Sequence, residues 1–160
     1  LQNEVSGGFS TLVDGFAVAE YIKKNNSQAF ESLTTTNLRY QFQDKDIVLE
    51  NWGELIELDK DGDYKQVRYS TRVDYVPPLE TEKLKIFYQS RKLLSELYCS
   101  SEFELRFKLQ PGDIMMFDNH RLLHGRTAYD ANEGMRHLQG CYLEFDATDG
   151  KLRHLARKFK

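Results

Sequence analysis

Apolar positions recur with two different periods along this chain. Between residues 84 and 98 they recur mostly every three or four positions, which predicts the longest helix of the chain, with one buried stripe. Between residues 103 and 109 apolar side chains alternate strictly with charged ones, which predicts a half-buried strand. The pattern therefore indicates a fold that combines sheet and helix.

Turn and capping residues divide the rest of the chain into short elements. Ser27, after the Asn25-Asn26 break, is a candidate helix cap, and Asp61-Gly62 favours a tight hairpin turn. The remaining predicted strands are 9–13, 38–42, 55–58, 66–69, 114–117 and 138–145. The remaining predicted helices are 17–24, 27–33 and a short basic helix at 151–160. Short strands at close spacing with turns between them favour a sheet sandwich or barrel.

Length and charge narrow the functional classes. A chain of 160 residues corresponds to one domain or part of one. Its 22 basic and 25 acidic residues give a net charge of −3, which offers no electrostatic footprint for nucleic acid or an anionic membrane. No apolar stretch approaches the roughly 20 residues of a membrane span. A small molecule is therefore the expected partner.

Two further features indicate the cellular setting. Cys99 and Cys141 are too few and too far apart to suggest a disulfide framework, so we expect a reducing, cytoplasmic compartment, with Cys141 in the core. The chain begins at Leu1 without a methionine or a signal segment, so we expect it to be part of a longer protein.

The histidines and arginines of residues 120–136 are the candidate chemical groups. His120 and His124 are four apart, a spacing that on a helix would resemble half a zinc site. The preceding turn and apolar run instead predict a strand that ends in a loop. Spacing alone leaves His124 open as a metal ligand or as a structural histidine, and leaves the nearby arginines open as solvated or salt-bridged side chains.

Seven motifs occur in order along most of the chain. They lie at 7–10, 13–16, 23–30, 111–113, 117–119, 121–126 and 136–142. Together they resemble the γ-butyrobetaine and trimethyllysine branch of the taurine dioxygenase-like Fe(II)/2-oxoglutarate oxygenases. The tail at 142–146, with Leu152-Arg153 after it, is more similar to the γ-butyrobetaine side of that branch.

The resemblance implies a fold and a domain arrangement. The fold is mainly β with helices, the double-stranded β-helix or jelly-roll of these oxygenases, and it would be incomplete in this chain. Residues 1–160 would be the C-terminal part of a single catalytic domain. The implied cofactors are Fe(II) and the co-substrate 2-oxoglutarate, with ascorbate as a candidate addition, and a homodimer is a candidate assembly.

The resemblance also assigns roles to four residues. His124 would be the distal iron ligand of a 2-His-1-carboxylate site. Arg136 would pair with the C5 carboxylate of 2-oxoglutarate, with a hydroxyl contact from Ser10. Tyr142 would form one wall of an aromatic cage around a trimethylammonium group. On an unbroken strand Arg136 and Tyr142 would face the same way, about 20 Å apart.

Three departures qualify this resemblance. The His-x-Asp pair of the iron site occurs nowhere in these 160 residues, and the resemblance places it before Leu1. His120 stands where this branch has Trp, and Ser70-Thr71 stands where it has Asn-Asn near the substrate.

The resemblance therefore implies a dioxygenase that hydroxylates γ-butyrobetaine to L-carnitine, in carnitine biosynthesis. Because the His-x-Asp pair is missing, we expect these 160 residues to be inactive alone. The first alternative is the same chemistry on trimethyllysine or another small substrate, such as taurine or another sulfonate. The second alternative is a non-catalytic binding module with an incomplete iron site.

Overall fold

The computed structural model describes residues 2–159 of the chain. Within that range the elements are, in order, β1 (Gln2–Asn3), β2 (Ser10–Asp14), α1 (Gly15–Asn25), α2 (Ser27–Thr35), β3 (Leu38–Gln43), β4 (Val48–Gly53), β5 (Ile56–Leu58), β6 (Tyr64–Val67), β7 (Asp74–Tyr75), α3 (Thr81–Tyr98), β8 (Glu104–Phe107), β9 (Leu122–Arg126), β10 (Arg136–His137) and α4 (Phe145–Lys158).

The strands form small antiparallel sheets. The orders are β1-β10, β8-β2-β9, β4-β3-β7 and β5-β6. Sheets combined with helices are confirmed, although helices occupy more of residues 2–159 than strands do. The pairing of β5 with β6 confirms the hairpin predicted at Asp61-Gly62, where Gly62 takes a φ of +86°.

The core lies where the first three helices meet the sheets. On α3, Phe87, Leu94 and Tyr98 are buried, which confirms the apolar stripe predicted from the sequence. Fully buried aliphatic side chains from the other elements complete this core: Ile22, Leu33, Leu38, Leu55 and Ile56. In residues 2–159 no helix has both the length and the apolar character needed to cross a membrane.

The cap of α2 differs from the prediction by one residue. The helix begins at Ser27, and the carboxamide oxygen of Asn26 accepts the hydrogen bond from the Ala29 amide at 3.0 Å. Asn26 is therefore the N-cap, a role in which asparagine and serine are about equally favourable.

Two predicted strands do not form. Residues 114–117 form no strand and have no strand partner in the described part of the chain, and Ile114 and Met116 are 93% and 86% exposed. Residues 138–144 also lie outside any strand, which leaves Cys141 exposed rather than in the core. An apolar run becomes a strand only when a neighbouring strand pairs with its backbone groups, and residues 2–159 provide none here.

The C-terminal helix also differs from its prediction. α4 begins at Phe145, six positions earlier than expected, and ends at Lys158. The predicted end at Lys160 lies outside the described residues. Arg157 and Lys158 in the last turn are the basic residues that a helix C-terminus favours.

The junction at Asp14 joins β2, α1 and the segment that leads into β9. Asp14 Oδ1 accepts hydrogen bonds from the amides of Phe16 and Ala17, at 3.0 and 3.3 Å, and so caps α1. The Arg121 guanidinium donates to both carboxylate oxygens, with its Nη2 2.5 Å from Oδ2. Hydrogen bonding from Arg121 lowers the pKa of Asp14, burial opposes that effect, and the capped amides add to it.

The Gly7-Gly8 pair allows two segments to approach closely. Both residues have positive φ, +75° and +61°. The Gly8 amide donates to the carbonyl of Ala128 at 3.1 Å, and Gly7 forms a β-bridge with Tyr129. A Cβ on Gly7 would lie 2.5 Å from the Ala128 oxygen, so no larger residue fits without a backbone shift.

Replacing Asp14 tests the junction. We expect Asp14→Ala to lose about 1 kcal/mol of unfolding free energy for the cap, plus up to about 1 kcal/mol for the ion pair. Asp14→Asn keeps a capping oxygen and should lose only the second part. Urea unfolding of both variants beside the wild type measures the difference.

The pH dependence of stability in the same variants tests the ion pair between Asp14 and Arg121 separately. Because the folded-state pKa of Asp14 is lowered, its ionic contribution is present above the unfolded-state value near 4 and is lost as pH falls through the folded-state value. The stability gap between wild type and Asp14→Asn should therefore shrink below about pH 4. A gap that stays constant down to pH 2 would contradict the ion pair.

Replacing Gly7 tests the close approach, with Gly62 as the matched control. Both glycines have positive φ, but nothing lies within 4 Å of a Cβ placed on Gly62. Gly62→Ala should cost about 1 kcal/mol for the backbone conformation. Gly7→Ala should cost a further ~1–3 kcal/mol because of the clash with Ala128. Equal losses of unfolding free energy would contradict this geometry.

Candidate active site

The three-stranded sheet β8-β2-β9 places two of the predicted site residues on one face. In the register of β2 with β9, Ser10 lies opposite Arg126 and Leu12 lies opposite His124. Directly opposed side chains point to the same face, and so do residues two apart on one strand. Ser10, His124 and Arg126 therefore share a face of this sheet.

His124 is exposed on that face. Its imidazole lies 5.0 Å from the ring of Phe117, centroid to centroid, and its strand pairing to β2 fixes its backbone. His120 lies in the preceding turn, and its ring stacks on Phe145 at 5.7 Å. The two histidines thus belong to a turn and a strand and do not share a helix, although the strand predicted before them does not form.

A 2-His-1-carboxylate iron site needs three protein ligands. Residues 2–159 contain no group of three or more His, Cys, Asp and Glu side chains arranged to hold a metal. His124 is suited to be one ligand, because neutral imidazole binds iron well, but the described residues do not supply the other two. They therefore do not form a complete iron site by themselves.

Arg136 opens β10, opposite Asn3 of β1. Its Nε is buried and has no hydrogen-bond partner within residues 2–159. A Cβ on Gly8 would lie 3.1 Å from this nitrogen, so a glycine is needed to leave room for the guanidinium. A buried donor without an acceptor is costly, and a carboxylate ligand would satisfy it. Arg136 is therefore suited to bind an anion.

The other two candidate arginines, Arg121 and Arg126, differ in whether they form an ion pair. Arg121 forms the ion pair with Asp14, which confirms the ordinary salt-bridged interpretation for one of the three candidates. Arg126 forms no ion pair within residues 2–159, and its guanidinium carbon lies 4.7 Å from the centroid of Tyr129. The Arg136 guanidinium lies 5.1 Å from the same ring.

Sequence reasoning missed Tyr129. It lies in the polar loop between β9 and β10, where no apolar period marks it. Only the bridge to Gly7 and the two guanidinium groups over its ring identify it as part of the site.

Tyr142 lies outside any strand, so no strand aligns it with the other predicted site residues. β10 ends at His137, so the argument that an unbroken strand aligns Arg136 with Tyr142 is wrong. Tyr142 is 83% exposed and borders an open depression at the start of α4, with Leu143, Glu144 and Ala147.

Comparison of the sequence with known proteins shows the family of this chain. Residues 1–142 match the family described as taurine catabolism dioxygenase TauD, TfdA. The chain is 36% identical over 165 residues to gamma-butyrobetaine dioxygenase of Homo sapiens, covering 99% of the chain and 42% of that protein. The corresponding enzyme of Pseudomonas sp. strain AK-1 is 29% identical over 157 residues, covering 98% of the chain and 41% of that protein.

A relative with another name matches nearly as much of the chain. Trimethyllysine dioxygenase of Meyerozyma guilliermondii is 31% identical over 163 residues, covering 97% of the chain and 39% of that protein. The chain thus spans about two fifths of the length of these relatives. The resemblance seen in the ordered motifs is confirmed, and since the family match extends over most of its length, the chain belongs to the TauD/TfdA family of dioxygenases.

Proposed function

We propose that the protein containing these residues hydroxylates γ-butyrobetaine to L-carnitine with Fe(II) and 2-oxoglutarate, as a step of carnitine biosynthesis. The observation that carries the proposal is the half-buried Arg136, whose Nε is unpartnered in the described structure. The 36% identity to gamma-butyrobetaine dioxygenase of Homo sapiens supports the choice of substrate.

The proposed domain is a single catalytic unit. Residues 1–160 form its C-terminal part, and the whole domain takes the jelly-roll fold, with a His-x-Asp pair upstream. The antiparallel sheets and the family match support this arrangement. It also accounts for the exposed apolar run at 114–117, which needs a partner strand.

The proposed roles follow the sequence motifs. His124 provides an imidazole ligand to iron, and its exposure on β9 supports that role. Arg136 binds the C5 carboxylate of 2-oxoglutarate through a two-pronged hydrogen bond. Ser10, 6% exposed, adds a hydroxyl contact to the same carboxylate. Tyr142 offers its ring face to the trimethylammonium group.

The chemistry is divided between the cofactor and the protein. Bound Fe(II) would supply the O₂ activation that couples oxidation of 2-oxoglutarate, to succinate and CO₂, with hydroxylation of the substrate. The protein binds and orients both organic molecules. Arg136 neutralises the distal carboxylate of the co-substrate, and the ring of Tyr142 fixes the cationic end of the substrate without a hydrogen bond.

A second candidate keeps this chemistry and changes the substrate to trimethyllysine. The 31% identity to trimethyllysine dioxygenase supports it. Ser70-Thr71, where this branch has Asn-Asn, departs from both kinds of enzyme and leaves the choice of substrate open. Here the Ser70 hydroxyl accepts from the Arg72 amide, and the Ser70 carbonyl accepts from Arg91. Ser70, in the segment that this branch places near the substrate, is thus hydrogen-bonded to Arg72 and Arg91 of the chain itself. A sulfonate substrate is the remaining enzymatic alternative.

A non-catalytic binding module is the candidate from another class. It is supported because residues 2–159 hold no group of three or more side chains arranged to bind a metal. The proposed partner in every case is a small molecule, most specifically a trimethylammonium compound, and not nucleic acid or a membrane. A homodimer, a cytoplasmic location and an ascorbate requirement stay predictions from the sequence.

Succinate release tests the proposed reaction. We expect the longer protein, supplied with Fe(II), 2-oxoglutarate and ascorbate, to form succinate fastest with γ-butyrobetaine, when trimethyllysine and taurine are offered in parallel. The 160-residue chain alone should give no turnover, because His124 by itself cannot hold iron in the required geometry. Faster turnover of trimethyllysine would favour the second candidate, and no turnover of any substrate would favour the binding module.

Substitution of Tyr142 tests the cage. Tyr142→Ala should raise the KM for a quaternary-ammonium substrate about tenfold, because a desolvated cation–π contact contributes ~1–2 kcal/mol. Tyr142→Phe retains the ring and should stay within about twofold of the wild type. The KM for 2-oxoglutarate should not change in either variant. An equal rise in both KM values for Tyr142→Ala would exclude a specific cage role.

A further inference from the structure

The ring of Tyr129 lies close to two cationic side chains that, within residues 2–159, no acidic residue pairs with. The guanidinium carbons of Arg126 and Arg136 lie 4.7 and 5.1 Å from its centroid. Within residues 2–159, neither guanidinium forms an ion pair or a side-chain hydrogen bond, whereas Arg121 is bound to Asp14. The two free cations are therefore held together by an aromatic ring.

Such an arrangement is unfavourable without an anion. Two guanidinium groups around one ring repel each other, and the negative face of the ring offsets this repulsion only in part. The Nε of Arg136 is also buried without an acceptor. A carboxylate would both neutralise the charge and accept from the orphaned donor. The local chemistry thus favours an anionic ligand at this position.

The backbone under Tyr129 is fixed by the segment that leads into β2. Gly7 forms a bridge with Tyr129, and the Gly8 amide donates to Ala128. The Thr127 amide donates to the Phe9 carbonyl at 2.9 Å, and the Thr127 hydroxyl accepts from the Phe9 amide at 3.0 Å. The segment that carries the Tyr129 ring is therefore joined by two hydrogen bonds to Phe9, the residue immediately before Ser10.

We propose that Tyr129 is a positioning residue that holds Arg126 and Arg136 as a two-guanidinium clamp for the distal carboxylate of a dicarboxylate. The inference deepens the proposed function and rests on its assignment of Arg136 to 2-oxoglutarate. Tyr129 acts through the arginines and does not touch the ligand. Its ring is required and its hydroxyl is not.

The test measures binding of glutarate, a dicarboxylate without the 2-oxo group that chelates a metal, to the longer protein by calorimetry. We expect Tyr129→Leu to weaken glutarate binding about tenfold, because the stacking that orients both guanidinium groups is lost. Tyr129→Phe keeps the ring and should bind within about twofold of the wild type. In steady-state assays, Tyr129→Leu should raise the KM for 2-oxoglutarate and leave kcat and the KM of the cationic substrate unchanged.

Other outcomes overturn the proposal. Unchanged glutarate affinity in Tyr129→Leu, or equal losses in Tyr129→Phe and Tyr129→Leu, would exclude a role for the ring as a positioning group. If Tyr129→Leu does not fold, Arg126→Gln decides, because it leaves the ring in place and removes one cation. Undiminished glutarate binding in Arg126→Gln would exclude the clamp.

Failure of the clamp is distinguishable from failure of the proposed function. If the wild-type protein binds neither glutarate nor 2-oxoglutarate, both are wrong. If the wild type binds both and Arg136→Gln abolishes binding, the carboxylate site stands. The Tyr129 and Arg126 variants then decide the clamp alone.

Discussion

The pairing of β2 with β9 is the contact on which the arrangement of the site depends. It sets Ser10 opposite Arg126 and Leu12 opposite His124, so residues from the two ends of the chain share one face. At the end of β2, Asp14 ties the strand to Arg121, 107 positions away in sequence. The same carboxylate caps α1, so the helix, the sheet and the approach to His124 are fixed together.

Local patterns predicted the elements that local interactions determine. The three-and-four spacing gave α3, the Asp61-Gly62 dipeptide gave the hairpin, and the first two helices follow from capping and periodicity. The strands predicted at 114–117 and 138–145 failed for a different reason. A strand exists through the backbone partners beside it, and apolar composition does not reveal whether such a partner is present. β4 and β7, which pair with β3, were missed for the same reason.

In the candidate site, too, sequence patterns marked some residues and missed others. Ordered motifs marked His124, Ser10 and Arg136, and the register places the first two on one sheet face. They gave no indication of Tyr129, since a single aromatic residue in a polar loop has no period. Its place follows from Gly7, whose positive φ permits the contact with the 128–129 backbone. The Gly7-Gly8 pair was thus a sequence signal for close packing of two segments.

The proposed site binds an anion and a metal, and residues 2–159 supply more of the anion-binding part than of the metal-binding part. The anion-binding part is contiguous: Gly8, Tyr129, Arg126 and Arg136 contact one another directly or through the ring. Of the proposed metal-binding part, residues 2–159 would supply the His124 imidazole, and they hold no group of three metal-ligating side chains. Since the clamp needs no metal to orient its guanidinium groups, binding of the distal carboxylate is energetically separable from binding of iron. In the proposed enzyme, loss of iron would therefore abolish the chemistry and spare recognition of the distal carboxylate.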